Sequence, residues 1–83
     1  MFINKSSDGL NNVSGRNIAN FRKEMKISQR KLADKLQLIG LDIDKNAIQR
    51  IESGQRFVTD IELIYFSRAL EKSFEELLSN SRK

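Results

Sequence analysis

Eighty-three residues with no cysteine, no histidine and a net charge of +4 leave room for one small domain with a modest core. Disulfides, thiolate metal sites and histidine-based acid–base catalysis are excluded, and no apolar run is long enough to span a bilayer. Lack of cysteine fits a reducing cytoplasm, and the N-terminus lacks the apolar block of a signal peptide.

The charge is uneven. Residues 16–56 carry ten Lys and Arg against five Asp and Glu; residues 57–83 carry four against five; in residues 1–15, Lys5 cancels Asp8. A positive excess in one part of a chain is the footprint of a polyanion partner.

Residues 1–14 are rich in Asn, Ser and Gly and show no period, which predicts a flexible leader. The alternative is an arm that packs on a neighbour through Phe2 and Ile3, or reaches a polyanion with Lys5. A first helix is expected over 15–26, capped by Ser14, with Ile18, Phe21 and Met25 as its buried stripe and Arg22 beside it. Ser28 caps a second helix, Gln29 to about Ile39, which buries Leu32, Ala33, Leu36 and Ile39 and closes at Gly40. Leu41-Asp42-Ile43 makes a turn, with Ile43 in the core. Asp44 caps a third helix whose Ala47, Ile48 and Ile51 share one face. Lys45, Asn46, Gln49 and Arg50 face outward, and Gly54 stops the helix. A short helix with an apolar back and a donor-rich front is what a DNA major groove accepts. In the loop that follows, the basic start can meet a phosphate and Phe57 is expected to turn inward.

Thr59 or Asp60 caps a fourth helix, about Asp60 to Glu71, with Glu62 at the capping-box position. It is apolar around much of its circumference, so burial against helices one, three and five is expected, with Ile64 or Tyr65 as candidates for a partner surface. Ser73 and Glu76 open a fifth helix carrying Phe74, Leu77 and Leu78, and residues 81–83 form a frayed tail. No segment reads as a strand and no proline interrupts a helix. The expected architecture is all-α, five short helices in one domain over 15–80.

From Gly15 to about Asn80 the chain resembles the Cro/C1-type (XRE-like) helix-turn-helix family. The resemblance lies in Ile18-x-x-Phe21-Arg22, Ile27-Ser28-Gln29-x-x-Leu32-Ala33, Ile48-x-x-Ile51-Glu52-x-Gly54, Asp60-x-x-Leu63 and Ala69-Leu70 before Phe74-x-x-Leu77-Leu78. It implies a compact five-helix, lambda-repressor-like DNA-binding domain in which the third helix enters the major groove. It also implies base-reading positions at Lys45, Asn46 and Arg50, with Gln49 a weaker candidate. Phosphate contacts are implied for Ser28 and Gln29 at the start of helix two, and for Ser53, Gln55 and Arg56 after helix three. Arg22 and Glu52 fall at the positions of a partly buried ion pair between helices one and three. The chemistry fits these roles: arginine pairs bidentately with guanine and asparagine with adenine. One departure is the longer path from Ala33 to Ile48, which extends helix two and lengthens the turn beyond the tight ~3–4-residue form. A subset of the family shares it.

The function expected is a sequence-specific transcriptional regulator, a repressor by promoter occlusion. It would bind double-stranded DNA as a homodimer, in the cytoplasm and associated with the nucleoid, without cofactor, metal or membrane. A protein-binding role, for instance as the antitoxin of a toxin pair, is the competing reading, motivated by the apolar fourth helix and the leader. Catalysis is disfavoured, because no carboxylate pair sits near a glycine loop that forms a pocket.

Overall fold

Local chemistry decides where each helix begins. The structure, a computed structural model, describes residues 9–79. They form α1 (Ser14–Glu24), α2 (Gln29–Leu38), α3 (Lys45–Glu52), α4 (Asp60–Leu70) and α5 (Phe74–Leu77), with no strand among the described residues. Ser28 Oγ accepts from the Lys31 amide at 3.0 Å, and Asp44 Oδ1 from the Ala47 amide at 2.9 Å. Thr59 with Glu62, and Ser73 with Glu76, form reciprocal capping boxes on α4 and α5. The exception is α1. Ser14 lies inside its first turn, 2% exposed, and the Gly15 amide is instead taken by Asn12 Oδ1 at 2.8 Å.

The helix ends are equally local. At α1, α2 and α3 the last turn closes with paired 6→1 and 5→2 backbone bonds around a left-handed residue: Lys26 (φ 62°), Gly40 (φ 112°) and Gly54 (φ 84°). Thus α1 stops at Glu24, two residues short of the expected Lys26, because Lys26 is itself the left-handed cap. Ile39 becomes the residue that ends α2 and is 41% exposed, not buried as expected; Leu41, past the turn, packs on the core instead.

Seven side chains from all five helices, namely Ile18, Leu32, Leu36, Ile48, Ile51, Phe66 and Leu77, are fully buried. Each such burial contributes about 1.5–3 kcal/mol relative to exposure. α3 lies against both α1 and α2; α4 packs on α1, α2 and α5, and α5 also on α1. The expected full burial of α4 is therefore corrected. Phe66, Ala69 and Leu70 point into the core, while Ile61 is 62% and Ile64 42% exposed. The loop before α4 departs from expectation too. Val58 and Leu63, at the N′ and N4 positions of a hydrophobic staple, pack on the core, and Phe57 stays outside at 53% exposure.

Of residues 1–14, those from 9 onward are described, and they are not a free leader. Leu10 to Asn12 lie against the end of α3, and α1 has begun by Ser14. The readings made for Phe2, Ile3, Lys5 and the 81–83 tail fall outside the described residues.

Candidate nucleic-acid interface

α3 runs for eight residues, about two turns, and a helix with its side chains is ~10–12 Å across, which the ~12 Å width of the major groove admits. Ile48 and Ile51 are completely buried on its inner side, whereas Lys45, Asn46, Gln49 and Arg50 are all exposed on the outer one. The apolar period thus fixes which four side chains face outward. Together they offer an ammonium, two carboxamides and a guanidinium, which can donate to base edges or phosphates.

One buried network sets the angle of that helix. Arg22 Nε donates to Glu52 Oε2 at 2.7 Å and Arg22 Nη2 to Glu52 Oε1 at 3.1 Å, with the two side chains only 11% and 8% exposed. A third donor, Arg22 Nη1, reaches the Ile27 carbonyl at 2.7 Å, and Gln29 Nε2 donates to Glu52 Oε1 at 3.0 Å. The end of α1, the start of α2 and the end of α3 are thereby tied at one point. Bidentate geometry makes the tie directional. Gln29, read from the sequence as a phosphate contact, is half-buried and gives one N–H of its carboxamide to Glu52, which leaves the second for another acceptor. What α2 presents outward at its start is the Ser28 hydroxyl and first-turn amides with no intrahelical acceptor, a natural place for a phosphate oxygen.

Arg56 is placed similarly. Its Nη1 and Nη2 each donate to a Glu62 carboxylate oxygen at 3.0 Å, and Nη1 also approaches the Phe57 carbonyl at 3.3 Å. The hydrogen bond to Glu62 raises the Arg56 pKa, against the opposing effect of burial. Burial works to raise the Glu62 pKa, yet hydrogen bonds from Arg56 and the Thr59 amide outweigh it and hold the carboxyl below its ordinary value. Arg56 thus serves as a strut between the loop and α4. Ser53 and Gln55 remain exposed beside it.

Two residues with no predicted role also hold this surface: Asn11 and Asn12. Asn12 Nδ2 donates to the carbonyls of Ile51 at 3.0 Å and Arg56 at 2.7 Å, and Asn11 Nδ2 to that of Gln55 at 2.8 Å. The only signal in the sequence was an asparagine three residues before Gly15, an N-terminal capping position hidden in a polar stretch. Between α2 and the start of α3 lies an open cleft of about 300 Å³ flanked by Arg30, Lys45, Asp34 and Asp44. Its charges oppose one another, so it is no anion pocket. Among the described residues no helix is long and apolar enough to cross a membrane.

A family model described as helix-turn-helix matches residues 18–77, from within α1 to the end of α5. Among solved structures, the chain is similar to the restriction-modification controller protein C.AhdI from Aeromonas hydrophila. The two share 25% sequence identity at a TM-score of 0.66, over 76% of this chain and 84% of that one. No curated protein matches the sequence.

Proposed function

The chain belongs to the Cro/C1-type (XRE-like) helix-turn-helix family and is a DNA-binding transcriptional regulator; from that premise we propose that it is a sequence-specific repressor acting as a homodimer. The observation that carries this reading is α3 itself: four exposed donors on one face of a helix whose back is fully buried and whose angle is fixed by Arg22, Glu52 and Gln29.

In this reading Asn46 and Arg50 read adenine and guanine edges, Lys45 contributes near the helix start, and Gln49 is the weakest contributor. Ser28 and the first amides of α2 hold one phosphate; Ser53 and Gln55 hold another beyond α3. The Gln29 and Arg56 side chains keep the phosphate roles read for them, held in place by their bonds to Glu52 and Glu62. Two copies are required because one small module buries too little DNA for typical specific affinity. The exposed Ile61 and Ile64 of α4 are assigned to that second copy rather than to a foreign protein. Repression needs only occupancy of a promoter. The similarity to a restriction-modification controller supports a role in gene control of this kind.

Selection of bound sequences from random duplex DNA tests the proposal. Enrichment of two related half-sites about one helical turn (~34–36 Å) apart is expected. Failure of the dimeric protein to enrich any motif at moderate salt sinks sequence-specific reading. On the selected site, Arg50→Ala should flatten the preference at one base pair by about 1–3 kcal/mol, measured by competition with point-mutated duplexes.

A further inference from the structure

The segment before α1 is joined to the far end of the reading helix. The carbonyls of Ile51, Gly54, Gln55 and Arg56 all accept hydrogen bonds from residues 11 and 12: two from Asn12 Nδ2, one from Asn11 Nδ2 and one, at 2.9 Å, from the Asn11 amide to Gly54. Asn12 Oδ1 at the same time takes the Gly15 amide, so a single carboxamide links α1, α3 and the loop after α3. Glycine is required on both sides of the junction. A Cβ on Gly15 would collide with the Ile51 carbonyl oxygen, and one on Gly54, at φ 84°, would come within 2.8 Å of Leu10 Cδ2. Asn12 is half-buried, as are its bonds to the Ile51 and Arg56 carbonyls, while Asn11 meets the Gln55 carbonyl at the surface.

We infer that Asn12, assisted by Asn11, is a positioning residue for DNA binding. It acts through the loop 53–56 and not through any contact of its own. The last carbonyls of a helix and the turn beyond it carry the negative end of the backbone dipoles. Left free on the surface facing DNA, those oxygens would repel a phosphate. Engaged by the two asparagines, they are occupied by N–H donors, and the side chains of Ser53 and Gln55 are left to meet the backbone. This inference rests on the proposed DNA-binding mode, since only there does the loop face a phosphate.

The test is Asn12→Asp, which keeps the size and the acceptor for Gly15 while removing both donors and setting a carboxylate against two carbonyl oxygens. Amide hydrogen exchange at Gln55 and Arg56, whose amides bond to the Arg50 carbonyl, reports the loop directly. Duplex binding at two salt concentrations reports the function. Faster exchange at these two amides, with the core amides of α2 and α4 unchanged, is expected. So is about a tenfold loss of affinity for selected and random duplexes alike, at both salt concentrations. Unchanged loop exchange overturns the inference, and so does a loosened loop with affinity within about twofold of the parent. Loss of base preference with random-duplex binding intact also overturns it. Should Asn12→Asp not fold, Asn11→Ala removes one bond to the loop and carries the same readouts with a smaller loss. A parent protein that binds no duplex removes the DNA-binding reading instead, and loop exchange then decides by itself whether the asparagines hold the loop.

Discussion

Arg22 shows how much one side chain decides in so small a core. Its guanidinium makes three hydrogen bonds, two to Glu52 and one to the Ile27 carbonyl, and it is nearly out of water. Removing one partner of a buried pair strands the other charge, so Arg22→Ala should lose about 3–5 kcal/mol in urea denaturation. Replacing both partners, Arg22→Met with Glu52→Leu, should recover most of that loss, since the stranded charge goes with its partner. A single mutant that melts within about a degree of the parent would remove the structural role, given that 1 kcal/mol moves a domain of this size by ~4–8 °C. Residue type alone does not separate this kind of charge from the kind that faces DNA. Gln29 and Arg56 read from the sequence as phosphate contacts because both are polar and sit at the right positions. Their partners, Glu52 and Glu62, are 23 and 6 residues away, and only the folded chain brings them together.

At the level of elements, what was legible was whatever the chain decides locally. The caps at Ser28, Asp44, Thr59 and Ser73 need only a side-chain oxygen and an amide three residues on; three are read from the sequence outright and Thr59 as one of two candidates beside Asp60. The end of α1 is not, because its left-handed cap is Lys26, where glycine would have been the signal. Burial around α4 was misjudged for a different reason. Apolar content says how much surface a helix could hide, but which side is hidden depends on neighbours: α4 packs on α1, α2 and α5, Phe66, Ala69 and Leu70 are buried, and Ile61 stays 62% exposed. The start of α4 has a pH consequence. Glu62 both closes the capping box and pairs with Arg56, and its pKa is lowered on folding. A lowered carboxyl contributes stability that is whole above its ordinary value of 4.5 and lost as pH falls through the folded value. Parent and Glu62→Gln should therefore differ in melting temperature at pH 7, by what a pair worth about 1 kcal/mol supplies. The difference should close as the pH is taken below 4.5. A gap that persists undiminished at acid pH would mean that shape, not charge, is what Glu62 contributes.

For the molecule as a whole, charge is segregated along the chain, but apolar exposure is not. The basic excess lies in residues 16–56, which hold most of α1 and all of α2 and α3; Leu38, 86% exposed, and Ile39 lie within that stretch, and Phe57, Ile61, Ile64, Phe74 and Leu78, each more than 40% exposed, follow it. A dimeric DNA reader needs an apolar face away from its reading helix, and the one proposed is on α4. Ile61 and Ile64, three residues apart, share one face of α4. Double substitution Ile61→Glu, Ile64→Glu puts charge on that face without touching the core, so the folded monomer should keep its stability to within about 0.5 kcal/mol. Sedimentation equilibrium should then find monomer at concentrations where the parent is dimeric. Affinity for a two-half-site duplex should drop by ~10²-fold or more, because the second half-site is no longer held at high effective concentration. Binding to an isolated half-site, already weak in the parent, should hardly change. Full-strength binding to the paired site by a variant that remains dimeric would move the interface off α4, leaving Phe74 of α5 with Leu78 just past its end, and Leu38 of α2, as the apolar surfaces to test next.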